Sequence, residues 1–143
     1  MTRKTVFIIL ILAMTALSVL SAPPAQMRDN EKPALAAAEK WLVLVDAGNS
    51  KDSWAEASSL FKDSVKPDQW AQTMNSVRKP LGKLVSRKAS QLIHMTSFPG
   101  APDGQYIVIH FNTSFENMKT AKEEVVMMMD KDGQWRVSGY HRS

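Results

Sequence analysis

Cysteine is absent from all 143 residues. Its absence excludes disulfide staples, thiolate metal sites, thiol nucleophiles and a lipid-modified cysteine at the N-terminus. Glycine is sparse, with six in the chain, and no glycine-rich run is present to cradle a phosphate. No serine stands in a nucleophile elbow. Charge of one sign is missing locally as well: between Asp68 and Asp103 there is no acidic residue, while Arg78, Lys79, Lys83, Arg87 and Lys88 all fall there.

What remains is ordinary globular material. Hydrophobic residues make up 44% and charged residues 22% of the chain, and the length suits one domain. The N-terminus differs from the rest. Arg3 and Lys4 precede an uncharged run from Val6 to Leu20, followed by Ser21-Ala22-Pro23-Pro24-Ala25. This is the layout of a signal peptide over 1–22. An uncleaved anchor is the alternative, because a cut after Ala22 would leave Pro23 next to it. Residues 23–32 read as a flexible spacer and 33–143 as a single α+β domain. The domain is expected outside the cytoplasm, in the periplasm or extracellular space. Without Arg3 and Lys4 the formal charge falls from +4 to +2. An exported, nearly neutral domain is not expected to bind nucleic acid.

Periodicity divides the domain. Ala34, Ala38, Trp41, Leu42 and Val45 recur at helical spacing behind Pro33, and Gly48 is placed to end that helix. Ser50 is placed to cap a second helix carrying Trp54, Ala57, Phe61 and Val65. Pro67 opens a third with Trp70, Met74, Val77 and Leu81, broken at Pro80 and Gly82. After Lys83 the period drops to two. Val85, Ala89, Ile93 and Met95 alternate with polar residues along a first strand. Further strands are expected from Gln105 to Phe115, Lys122 to Met129 and Trp135 to Tyr140. The loop 98–104 and the turn 130–133 join them, with Gly104 and Gly133 expected in backbone conformations open mainly to glycine. Three N-terminal helices packed on a four-stranded antiparallel meander is the expected architecture.

Alternation assigns faces. Ile107, Ile109, Phe111, Thr113 and Phe115 should meet the helices; Trp135 and Val137 should lie opposite Arg136, Ser138 and Tyr140. The third strand is apolar on both sides, with Val125, Met127 and Met129 on one and Val126 and Met128 on the other. Its outer side therefore needs a cover, and a homodimer through the outer sheet face is the simplest.

Candidate chemistry is thin. If the first hairpin pairs residues whose numbers sum to an even value, His94 and His110 share the outer face, with His141 as a third candidate metal ligand. Ordinary surface histidines are the expectation. Met127, Met128 and Met129 are soft ligands suited to copper(I), yet a strand points them to opposite faces, so core filling accounts for them. Asp46 is expected to orient the corner before Gly48, and Glu123 shares the parity of Val125 and so can point inward. Neither has an evident acid–base partner. Arg87 is also placed to lean its stem on Trp70 or Trp135. No catalytic residue, cofactor or metal site is assigned. The one binding surface assigned is the basic patch Arg78, Lys79, Lys83, Arg87 and Lys88, suited to an anionic envelope component or an acidic protein.

The motifs Ala38-Glu39-Lys40-Trp41, Val45-Asp46-Ala47-Gly48, Pro80-Leu81-Gly82 with Ser86-Arg87, Pro99-Gly100 through Asp103-Gly104-Gln105-Tyr106, Thr113-Ser114-Phe115 and Asp132-Gly133 through Gly139-Tyr140 resemble one bacterial family, domain of unknown function 4019. The resemblance runs from about Pro33 to Tyr140. It implies export and carries no activity. The order of elements also resembles the NTF2-like, cystatin-like class of cone-shaped domains, many of which keep a pocket between sheet and helices. A non-enzymatic binding or protein-interaction module of the cell envelope is the reading these features favour. The alternative is a small-pocket NTF2-like enzyme acting on an apolar metabolite.

Overall fold

The computed structural model describes residues 27–143. The expected signal segment 1–22 and the first part of the spacer lie outside the described residues. Helix α1 spans Glu31–Asp46, starting two residues ahead of Pro33. It buries Ala34, Ala38, Trp41, Leu42 and Val45, the stripe its spacing requires. Gly48 follows its end at φ 72°, a left-handed position that suits glycine. Among the described residues no helix is long and apolar enough to cross a membrane.

The expected second helix is two. Helix α2 covers Ser50–Glu56 and α3 covers Ser59–Ser64. The break falls at Ala57 and Ser58, whose backbones are extended. Ser58 N–H donates to the Val137 carbonyl at 2.9 Å, and its hydroxyl accepts from Phe61 N–H at 3.1 Å. One serine thus joins the helices to a strand and caps the helix that follows, which a continuous helix would prevent. Helix α4, Pro67–Thr73, widens into a π turn at Met74–Arg78 and tightens into a 3₁₀ turn at Lys79–Leu81.

Strands β1 (Leu84–Met95), β2 (Tyr106–Phe115), β3 (Met118–Met129) and β4 (Trp135–Arg142) form one antiparallel sheet in the order β1-β2-β3-β4. The protein is an α+β domain with N-terminal helices on a four-stranded meander. Ile107, Ile109 and Phe111 of β2 and Val125 and Met127 of β3 meet the helices in the main core, as alternation requires. Trp41, Trp70, Phe61 and Tyr140 stack there at centroid distances of 5.3 to 6.3 Å. The Trp41 and Trp70 indole N–H groups donate to the carbonyl and hydroxyl of Ser53, both at 2.8 Å. The buried rings therefore leave no indole donor unpaired there.

Three register slips, two in β1 and one in β4, overturn the face assignments at the strand ends. In β1 the register slips between Ala89 and Gln91, so Arg87 and Ala89 face the helices but beyond Ser90 it is Leu92 and His94 that do. A second slip between Leu84 and Ser86 displaces Val85. Val85 and Ile93, expected on the inner stripe, are 59% and 36% exposed. In β4 the register slips opposite Val126 and Met127, so Val137 pairs with Met127 while Tyr140 pairs with Val125. Tyr140 consequently joins Trp135 and Val137 on the inner side instead of opposing them. A β-bulge inverts parity beyond it, and nothing in simple alternation announces one.

The outer face also finds its cover within the chain. Tyr106, Val108 and Val126 form a second apolar cluster with Met95, Phe98, Ala101 and Met128. Phe98 lies 5.8 Å from Tyr106 between ring centroids, and the Tyr106 hydroxyl donates to the Pro102 carbonyl. Loop 98–104 folds back over this part of the sheet's outer face. In that loop Gly100 takes the left-handed conformation at φ 77°, not Gly104; in the other turn Gly133 takes it, as expected, at φ 77°.

Candidate functional site

Charge inside the domain gathers at one place. Glu123 of β3 is 0% exposed, opposite Phe111 in the sheet. Arg87 of β1 reaches it with Nε at 2.7 Å from Oε1 and Nη2 at 3.2 Å from Oε2. The same guanidinium donates to Asp46 at the end of α1, through Nη1 at 2.7 Å and Nη2 at 2.9 Å. Arg78, from the π turn, adds contacts of 3.3 Å to Asp46 Oδ1, donates to the Gly82 carbonyl at 2.6 Å and lies over the Phe115 ring. Thr113 donates to Glu123 Oε1 at 2.7 Å, and the Tyr140 hydroxyl donates to Oε2.

Two carboxylates and two guanidiniums make this layer neutral. A buried charge is tolerable when its partners replace the lost water, and Glu123 accepts from three side chains here. Burial disfavours the Arg87 charge, but its hydrogen bonds to Asp46 and Glu123 outweigh that, and its pKa lies above the ordinary arginine value. Burial first, and then the Glu123 charge, push the Tyr140 hydroxyl above the usual tyrosine range. Tyr140 thus stays a protonated donor at physiological pH. The layer ties α1, the π turn, β1, β3 and β4 together.

The structure divides the expected basic patch. Arg78 and Arg87 are interior residues of this layer, because Arg87 lies opposite Thr113 on the helix-facing side of β1 and Arg78 turns in toward Asp46. Arg87 engages carboxylates, where a lean on Trp70 or Trp135 was expected. Lys79, Lys83 and Lys88 are exposed. Arg78, Lys79 and Lys83 line one cleft of about 480 Å³ together with Asp46 and Glu116, while Lys88 stands on the outer side of β1 opposite Asn112. The five residues do not form one surface.

Asp46 does more than orient its corner, since it binds both arginines, and Glu123 does have partners. Sequence reasoning missed Tyr140 and Thr113. The available signal was Glu123 itself, a carboxylate at a core parity between Ala121 and Val125. His94 and His110 do not share a face: the slip at Ser90 makes the register sum odd and turns His94 inward. His94 Nε2 lies 2.9 Å from Oε1 of Glu31, and His110 Nδ1 lies 3.8 Å from Oε2 of Glu124. Among the described residues no group of three or more His, Asp or Glu side chains is placed to hold a metal ion. Met127 is in the main core and Met128 in the outer cluster, so the methionines diverge as expected.

The larger open cleft, about 610 Å³, lies elsewhere. Ala37, Trp41, Val43 and Leu44 of α1 form one wall, Asp52 and Glu56 of α2 a rim, and Met127, Trp135 and Val137 the sheet side. Val43 is 64% exposed there. Arg136 of that cleft pairs with Asp132 at 2.7 Å and approaches Glu56 at 4.0 Å.

Fold and site together define a helix-covered antiparallel meander domain with a neutral charged layer inside and an amphiphilic cleft at one sheet edge. The chain belongs to the family described as protein of unknown function DUF4019, which matches residues 37–140, a span holding every member of the charged layer. No curated protein and no solved structure matches the chain.

Proposed function

We propose that the protein is a binding module of the cell envelope, and that the cleft between α1 and β4 takes a small, apolar, uncharged ligand. The observation that carries this reading is the cleft itself. Its volume of about 610 Å³ falls in the range of small-molecule sites, and its walls are Ala37, Trp41, Val43, Leu44, Met127, Trp135 and Val137. The lining charges are Lys40 and Arg136 against Asp52 and Glu56, which balance. A charged ligand would gain little there, whereas an apolar one gains by covering Val43 and Trp135. The N-terminal layout of charge, apolar run and small residues supports export. The interior carboxylates Asp46 and Glu123 are engaged by arginines, which favours binding over acid–base chemistry.

The test is native mass spectrometry of the protein taken from its own envelope fraction, beside a Val43→Glu variant. Val43 is exposed, so the change should leave folding within about 0.5 kcal/mol. The native chain should carry a defined apolar mass that the variant lacks. A bare chain in both samples, or the same bound mass in both, would overturn the reading.

A further inference from the structure

The sheet has two edges, and they are finished differently. At β4 the Val137 carbonyl accepts from Ser58 N–H at 2.9 Å, and α3 packs alongside. Among the described residues β2 is the only strand neighbour of β1, and none outside the sheet gives a backbone hydrogen bond to 84–95. Every second residue of such an edge turns its N–H and C=O outward, ready to pair with another extended chain. The side chains agree. Of the exposed large apolar residues, Leu84, Val85 and Ile93 all lie on this strand. Charge adds direction: Lys83 and Lys88 are exposed and their side chains form no ion pair among the described residues; Glu116 accepts from the Lys83 backbone N–H at one end of the edge, and Lys88 stands opposite Asn112.

We infer that β1 is a docking edge for an extended acidic segment of a partner protein, which adds to the sheet as a fifth strand. Main-chain hydrogen bonds supply the attachment; Lys83 and Lys88 select acidic side chains, and Val85 and Ile93 meet apolar ones. A second copy fits this edge poorly. Pairing β1 with itself brings together two strands that each expose Lys88 and carry no acidic residue of their own. The bulges at Val85 and Ser90 twist the edge, which hinders two matching edges and not a single pliable peptide. This site lies at the sheet edge remote from the α1–β4 cleft, and it does not depend on what that cleft binds.

The experiment uses the full chain, isotope-labelled, and a synthetic peptide of alternating glutamate and valine matched to β1 in length. Amide shifts on addition should concentrate at 84–95, and affinity should fall as salt rises. Lys88→Glu should weaken binding about tenfold while leaving the fold intact. A peptide of the same charge with N-methylated backbone amides should not bind, because it cannot donate to the edge. Equal binding by the N-methylated peptide would reduce the contact to charge attraction and overturn strand addition. Equal binding of a lysine–valine peptide would overturn the acidic preference. Concentration-dependent dimerisation through 84–95 would make a second copy the occupant, and equal uptake on vesicles of anionic phospholipid would make it a membrane surface; either would contradict the inference.

Discussion

Arg87 and Lys88 are neighbours in one basic stretch of sequence, yet they belong to different regions of the molecule. Arg87 lies in the interior, its guanidinium shared between Asp46 and Glu123. Lys88 stands on the outer side of the sheet, exposed and opposite an asparagine. The same division holds for Arg78, buried against Asp46, and for Lys79 beside it. In this segment the arginines hold the fold together and the lysines face outward. The division suits the chemistry of the two side chains. A planar guanidinium bridges two carboxylates at once, and a lysine ammonium keeps its hydration more readily at the surface. A local excess of positive charge in sequence is therefore not an excess at the surface until each residue has been given a side of the sheet.

The largest way to test that division is to remove the interior charge. Arg87→Ala should cost about 3–5 kcal/mol, because it leaves Glu123 buried with only neutral donors; urea unfolding measures it. Arg87→Met combined with Glu123→Leu should cost much less than the two single changes added, since no buried charge is then left unpaired. A double mutant as unstable as that sum would mean the pair is not coupled. Gly133→Val should destabilise by roughly 1–3 kcal/mol, through the left-handed backbone that valine adopts poorly; no change would misplace the turn. Tyr140→Phe removes one donor to Glu123 and should cost about 1–2 kcal/mol.

A smaller effect belongs to the turn after β3. Asp130 accepts from Ser59 N–H at 2.9 Å and from its hydroxyl at 2.8 Å, capping α3 from outside the helix. The backbone hydrogen bond from Ser59 is the main reason its carboxyl lies below the usual aspartate range. A depressed folded pKa contributes stability above the unfolded value, and that stability is lost as pH falls through the folded one. Asp130→Asn should therefore flatten the acid limb of a stability-against-pH curve; an unchanged limb would remove Asp130 from the account. At the bottom of the scale, Lys88→Ala should alter stability by no more than about 0.5 kcal/mol.

Much of the architecture was legible because it rests on periodicity. The stripe of α1, the drop to a two-residue period after Lys83 and the turn at Gly133 each follow from residue spacing alone. What escaped depends on contacts between segments distant in sequence. Ser58 breaks a helix because a β4 carbonyl claims its N–H. The slip at Ser90 turns His94 toward Glu31 and exposes Ile93, and the slip in β4 brings Tyr140 to Glu123. Loop 98–104 covers Val108 and Val126, a role its turn-forming composition does not disclose. The charged layer was half visible, in that Glu123 has a core parity and Asp46 sits at the end of α1. Their common partner Arg87 reads in sequence as part of the basic patch, or as a stem leaning on Trp70 or Trp135, because nothing local pairs it with carboxylates 41 and 36 residues away.

The most direct measurement is a pair of urea unfolding curves, for Arg87→Ala and Lys88→Ala, set against binding of the glutamate–valine peptide by both variants under native conditions. The account predicts that Arg87→Ala loses several kcal/mol of stability and Lys88→Ala almost none, while Lys88→Ala alone weakens the peptide. Equal stability losses, or an Arg87→Ala variant as stable as the native chain, would contradict it.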